Sequence, residues 1–308
     1  MAPGDRQRIP RSVAEWMEPL IGPYSILTPG GLTPSRHRVY TIEADQGLFF
    51  LKLHLDENSW HAEAFAYRHW CAPAASSFAG VVGVFRAPGL RGILTRSLPG
   101  RPLENLEFPE DVVRTAWRAA GRLAALVHNQ AEGRWFGVPN IDGQPLGSAT
   151  GDAAEYVRNQ ICAHEERARL WGLLSAEEWR AVRWAHENCD VFGSELPRPV
   201  NPDYAPGNWL VDANGRFLGA VDLEEMRWGV RLEAFSHLWA KFALDHPGRE
   251  AAFFEGYGMN PLEEHPLQVR HVCIRAGLAN IVLGGERGDV RYLDRGHRLL
   301  RYHGHDPC

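Results

Sequence analysis

The chain has 308 residues, a formal net charge of −5, and 44% hydrophobic against 23% charged residues, the balance of a globular protein large enough for two lobes. No apolar run approaches the roughly 18 residues of a membrane span, the N-terminus lacks the basic-then-apolar pattern of a secretion signal, and a net acidic chain without basic clusters gives no support for nucleic-acid binding. Five scattered cysteines without a CxxC pair argue against a disulfide framework or zinc site and for a cytoplasmic location.

In chain order, Tyr24–Leu27, His37–Glu43 and Gly47–His54 read as strands from their aromatic and β-branched content. A Gly- and Pro-containing connection with Gly30-Gly31 at its centre joins the first two. Asn58–Cys71 reads as a helix carrying Glu63, and Gly92–Thr95 as a final strand. Arg96–Leu103 breaks the pattern with Pro and Gly. Beyond it the chain turns helical, starting with Pro109–Asn129, where Val112, Val113, Ala116, Ala120, Leu123, Ala124 and Val127 recur at helical spacing. Gly133–Gly151 reads as a loop. Further helices are predicted over Asp152–Trp171, Ser175–Asp190, Leu232–Leu244, Arg249–Tyr257, Pro266–Leu283 and Tyr292–Tyr302.

Of the 33 basic residues only Lys52 and Lys241 are lysines. Arg-rich codon usage explains the general excess, and against it a retained lysine marks a place that needs a compact charge on a slim stem. A lysine on the third strand, an acid on the next helix and a Gly-containing turn between the first strands suit a nucleotide-phosphate clamp. Lys52 would hold phosphate oxygens and Glu63 would fix the lysine. The plainer alternatives are a solvated edge-strand lysine and a surface helix acid.

Embedded among the helices is Val200-Asn201-Pro202-Asp203-Tyr204-Ala205-Pro206-Gly207-Asn208-Trp209-Leu210-Val211, followed by Gly219-Ala220-Val221-Asp222. This reads as a β-hairpin with Asp203 and Asn208 on the entering loop and Asp222 at the end of the second strand. Phosphoryl transfer needs one carboxylate near the attacking hydroxyl and oxygen ligands for a magnesium ion on the nucleotide. Each residue alone is also an ordinary turn former. A polar triplet interleaved with two apolar strands is harder to explain that way.

The ordered set resembles the aminoglycoside-phosphotransferase-type (APH) branch of the protein-kinase-like fold, over about Tyr24 to Trp239. The pieces are Phe50-Leu51-Lys52-Leu53-His54, Glu63, the linker Leu94–Leu103, Asn201-Pro202-Asp203 to Asn208, Val221-Asp222 and the helix beginning near Glu233. The resemblance implies an α+β, bilobal fold: an N-terminal antiparallel sheet with one helix over 1–95, a hinge at 96–103, and a larger helical lobe over 104–308. It implies Asp203 as catalytic base, Asn208 and Asp222 as Mg2+ ligands, and Lys52 with Glu63 on the phosphates of ATP or GTP. The adenine would be received by backbone at Arg96, Ser97 and Leu98. Two departures stand out. The family's His-Gly-Asp or His-Arg-Asp is Asn201-Pro202-Asp203 here, and Glu233 stands where an Asp is usual. Pro202 lacks an N–H and holds Asn201 extended, and Asn201 can supply some of the histidine's hydrogen bonds.

The implied activity is phosphorylation of a small-molecule hydroxyl by a monomer or homodimer. An antibiotic acceptor, aminoglycoside-like or nucleoside, is expected from the Arg-rich composition of a high-GC bacterium, whose relatives often act on antibiotics. The alternatives are a choline-, homoserine- or sugar-type metabolite kinase, and a pseudokinase that binds nucleotide without transfer. Between residues 190 and 235 acids outnumber arginines, Glu224 and Glu225 among them. Discounting those already given a role leaves no clear acidic pocket. Trp135, Phe136, Trp209 and Trp228 are expected to pack rather than stack on a ligand.

Overall fold

The computed structural model describes residues 9–28, 37–242 and 245–304; the Gly30-Gly31 turn lies outside them. The N-terminal part contains helix α1 (Arg11–Ile21), strands β1 (Tyr24–Thr28), β2 (His37–Ala44) and β3 (Gly47–His54), helix α2 (Glu57–Phe65), and strands β4 (Val81–Ala87) and β5 (Leu90–Arg96). The five strands form one antiparallel sheet in the order β1-β2-β3-β5-β4. β3 is therefore interior, flanked on both sides.

The sheet has a helix on each face. Val13, Met17 and Ile21 of α1, one turn apart, pack against Tyr40, Ile42, Phe49, Leu51 and Leu94. Strand side chains alternate between faces, so Lys52, between Leu51 and Leu53, points with its neighbour Ile93 to the opposite face. There Ile93 packs on Trp60 and Ala64 of α2. Asp56 caps α2 by accepting the Ser59 N–H at 2.8 Å, and a single π-helical turn, Ala66–Trp70, extends the helix.

Two of these elements were not anticipated. α1 sits in a segment punctuated by Pro10, Pro19 and Pro23, so a second helix accompanies the sheet where one was expected. β4 is the sheet's edge and mostly half-exposed, so its run carries no clean inside–outside alternation.

The linker leads through β6 (Arg101–Pro102) to a helical part: α3 (Glu110–Asn129), α4 (Ala153–Trp171), α5 (Ala176–Glu187), α6 (Ser236–Lys241), α7 (Pro247–Tyr257), α8 (Pro261–Glu264), α9 (Pro266–Arg287) and α10 (Val290–Gly304). Four short strands lie between α5 and α6: β7 (Arg198–Val200), β8 (Trp209–Val211), β9 (Phe217–Ala220) and β10 (Arg227–Gly229). β8 and β9 form the expected hairpin, β6 adds to its edge, and β7 pairs with β10. Phe136, Trp209 and Trp228 are buried in the large core with Trp135 packed against it, as the packing expectation had it. The α3–α7 crossing is close enough that a Cβ on Gly121 would lie 2.0 Å from the Phe253 carbonyl oxygen. The single helix predicted over Leu232–Leu244 is instead a 3-10 segment, Arg231–Phe235, followed by the short α6. Phe235, at φ −101° and ψ 3°, makes the junction.

Candidate active site

Lys52 reaches from the sheet into a cluster of carboxylates. Its Nζ lies 2.9 Å from Glu63 on α2, 2.7 Å from Asp222 after β9 and 3.0 Å from Glu224. The solvated edge-strand alternative is therefore overturned: the strand is interior and the side chain is 12% exposed. Glu63 is likewise buried rather than on a helix surface, because α2 lays that face on the sheet. His54 Nε2 stands 3.1 Å from Glu63, and His37 Nδ1 is 2.7 Å from Glu224.

The electrostatics follow from three carboxylates around one ammonium. Burial pulls the Lys52 pKa down, but Glu63, Asp222 and Glu224 more than offset it and hold it well above the ordinary lysine value. Burial pushes Glu63 up, yet Lys52 and His54 bring it to about 2. Glu224 is also raised by burial and returned to about 2 by His37 and Lys52. Asp222 carries the excess: burial raises its carboxyl, Lys52 opposes, and the neighbouring Glu63 and Glu224 raise it further. A surplus of negative charge at Asp222 suits a divalent cation.

Asp222 is also the one non-glycine with positive φ among the described residues, at 63°. Asp tolerates this left-handed region better than most residues, though at a cost. Its carbonyl is held by Asn201 Nδ2 at 3.1 Å, while Asn201 Oδ1 accepts the Asp203 N–H at 3.1 Å. Asn201 thus joins the loop of Asp203 to the segment of Asp222. The hairpin reinforces that link, since the Val221 N–H donates to the Asn208 carbonyl at 3.0 Å. A Cβ on Gly219 would fall 2.0 Å from the Ser77 carbonyl oxygen; only glycine lets β9 pass so close to the segment after α2.

Asn208 Nδ2 donates to the Asp203 carbonyl at 2.9 Å and to Asp203 Oδ2 at 3.0 Å. Both bonds use the amide nitrogen, which leaves the amide oxygen as the ligand-capable atom. Asp203 Oδ1 is 2.5 Å from His237 Nδ1 on α6, in a pair about one-third exposed. Ser236 Oγ, beside it, donates to the Pro202 carbonyl at 3.4 Å. Glu233 is buried and holds Tyr156 (3.0 Å), Gln160 (3.3 Å) and Arg227 (3.7 Å). The second lysine, Lys241, ties α6 to Glu104 just past the linker at 2.6 Å.

At the linker, the Arg96 N–H donates to Gly80 (2.7 Å) and the Ser97 N–H to Leu48 (2.9 Å). The Leu98 N–H makes no backbone hydrogen bond among the described residues. Of the three predicted positions, Leu98 is the one whose donor the sheet does not use. Arg96 lays its guanidinium over the Phe49 ring, 5.3 Å from the centroid.

The donor set fits a magnesium ion. Asp222 and the Asn208 amide are hard oxygen donors on neighbouring hairpin segments, and the charge excess falls on Asp222. A second grouping, His54, Glu63 and Glu224, brings ligand atoms within 4.8 Å of one another. The Lys52 ammonium already neutralises Glu63 and Glu224 there.

Sequence reading missed Glu224, His37, His54 and His237 as site residues. Glu224 carried a signal, being a second acid two positions after Asp222. Nothing in the sequence connects His237 to Asp203.

An antiparallel five-stranded sheet joined by a linker to a helical part that carries a polar hairpin is the kinase-like fold of small-molecule phosphotransferases. The model of the APH phosphotransferase enzyme family matches residues 34–270, and the chain belongs to that family. No curated protein matches the chain. Among solved structures it is similar to aminoglycoside phosphotransferase APH(4)-Ia (TM-score 0.69, 16% identity, covering 94% of this chain and 98% of that one). A thermostable mutant of the same enzyme, in ternary complex with AMP-PNP and hygromycin B, gives TM-score 0.70 at 16% identity, over 94% and 98% of the two chains. The gentamicin complex of APH(2")-IIa gives TM-score 0.63 at 15% identity, over 96% of each chain. At these identities the likeness is one of fold. Among the described residues no helix is long and apolar enough to cross a membrane.

Proposed function

We propose that this chain transfers the γ-phosphoryl group of Mg-ATP or Mg-GTP to a hydroxyl of a small molecule, with an antibiotic, aminoglycoside-like or nucleoside, as acceptor. The observation that carries the reading is that Asp222, 170 positions downstream, meets the Lys52–Glu63 pair at ion-pair distance. Asn201 ties that cluster to the loop of Asp203 and Asn208.

Residues 1–95 would hold the nucleotide, 96–103 would act as hinge with Leu98 facing the base, and 104–308 would receive the acceptor. Lys52, fixed by Glu63, binds phosphate oxygens in exchange for its contacts with Asp222 and Glu224. Asn208 and Asp222 would hold magnesium, which when bound screens the phosphate charge. Asp203 accepts a hydrogen bond from the acceptor hydroxyl and orients its oxygen toward the γ-phosphorus. The new O–P bond forms as the bond from the γ-phosphorus to the β,γ-bridging oxygen breaks. The nucleoside diphosphate leaves, and the hydroxyl proton passes to Asp203 and then to water.

The antibiotic class rests on the relatives, whose structures hold hygromycin B and gentamicin. The test is incubation with Mg-ATP or Mg-GTP and a panel of aminoglycosides, nucleoside antibiotics, choline, homoserine and sugars, read by mass spectrometry for one added phosphoryl group. Phosphorylation of an antibiotic at high kcat/KM is expected. Preference for a metabolite would replace the acceptor class, and nucleotide binding without any transfer would make the protein a pseudokinase.

A further inference from the structure

The loop of Asp203 is gripped from α6 as well as from within. Two consecutive helix residues meet two consecutive loop residues: Ser236 donates to the Pro202 carbonyl at 3.4 Å, and His237 Nδ1 lies 2.5 Å from Asp203 Oδ1. Asn208 takes the other oxygen at 3.0 Å. We infer that His237 is a positioning residue for phosphoryl transfer, holding the Asp203 carboxylate at the angle from which it meets the acceptor hydroxyl. This rests on the assignment of Asp203 above.

The pair is a close ion-pair contact, Nδ1 2.5 Å from Oδ1, and an ionised carboxylate offers only acceptor sites. Each carboxylate oxygen has two lone-pair sites. Oδ1 can therefore keep His237 and still accept from a substrate hydroxyl. With His237 against one oxygen and the Asn208 amide donating to the other, rotation of the carboxylate about its Cβ–Cγ bond is restricted.

The surroundings argue against a mainly structural role. The pair is about one-third exposed on both sides, and half-exposed ion pairs add little stability. The loop also has a particular need for the contact. Pro202 cannot donate a backbone hydrogen bond, and Asn201 spends its amide on the Asp203 N–H and the Asp222 carbonyl. Nothing within Val200–Tyr204 is thereby left to hold the Asp203 carboxylate itself. α6 supplies that from 34 positions downstream, a placement the 3-10 segment Arg231–Phe235 sets by turning the chain immediately before Ser236.

The test uses the full-length protein with Mg-ATP, water serving as acceptor, and ADP release as the readout. Variants are His237→Ala, His237→Asn and Asp203→Asn, each with Mg-ATP affinity by calorimetry and a melting curve. The Asn amide nitrogen can stand where Nδ1 stands and keep the contact with Oδ1. We expect His237→Ala to lower kcat by about 10- to 100-fold, the scale of a misplaced reacting group. Mg-ATP affinity and melting temperature should hold, and His237→Asn should recover most of the rate. A His237→Ala rate within about twofold of the parent would overturn the inference, taking twofold as within ordinary mutational noise. So would a His237→Asn rate as low as the alanine variant, because the imidazole Nε2 would then be acting in its own right. If Asp203→Asn leaves the rate intact, the assignment of Asp203 fails instead, whatever His237 does.

Discussion

The two sides of the site are built on opposite principles. The Lys52 side is buried and crowded, with one ammonium among three carboxylates and two histidines at its margin. The Asp203 side is part-exposed and sparse, a single carboxylate between the His237 ring and the Asn208 amide. Low dielectric amplifies charge, so the crowded side is suited to holding a polyanion and its cation. The sparse side gains nothing from charge density and depends on angle and distance. The comparison teaches that one site can keep its charge-dense groups and its geometrically held groups on different elements.

The largest effect that would sharpen this division is at Asp203. Asp203→Asn should cut transfer by about 10²- to 10⁴-fold, the usual range for a lost acid–base group, while calorimetry shows Mg-ATP affinity nearly unchanged. Equal loss of rate and affinity would erase the distinction between the two sides. Asp222→Ala should abolish the magnesium dependence of nucleotide binding, measured with magnesium and with chelator. Magnesium tightening binding in that variant as in the parent would remove Asp222 from the metal site.

Smaller effects concern stability. Glu63→Gln leaves His54 and Lys52 short of a buried charge partner and should cost about 3 kcal/mol in urea unfolding at neutral pH. A loss no larger than that of an exposed acid would show that the Glu63 charge contributes no more to stability than a surface one.

Acid should act elsewhere first. Burial, reinforced by nearby arginines, holds His128 and His271 neutral at pKa values of about 3. Their folded values lie below the unfolded value of about 6.5. Their contribution is therefore complete above about pH 6.5 and is lost as pH falls toward 3, by about 2 kcal/mol per histidine at pH 5. Glu63 and Glu224, depressed to about 2, lose theirs only below about pH 4.3, the unfolded glutamate value. Unfolding curves at pH 7 and pH 5 check this, with His271→Leu expected to flatten the difference. Equal parent stability at both values would contradict it.

Much of the molecule is legible in its sequence. β3 announced itself by composition and Lys52 by its rarity among arginines. α3 was plain from the spacing of Val113, Ala116, Ala120, Leu123 and Val127, all buried on one face. The hairpin around Asp203, Asn208 and Asp222 was plain from turn residues between two apolar runs. α1 and β4 escaped because prolines interrupt one and the other is a half-exposed edge. The break at Phe235 escaped because helical periodicity continues across it while the backbone does not.

The amino-acid sequence by itself determined the family, most of the element order, the hairpin and the polar residue types it carries, since each is written in local spacing and propensity. Only the tertiary structure decided that Glu224 joins Asp222 and Glu63 on Lys52, that the positive φ falls at Asp222, and that His237 meets Asp203. Those facts depend on how a sheet face, a hairpin and a short helix come together, and pairings across 34 and 170 positions leave no periodic trace along the chain.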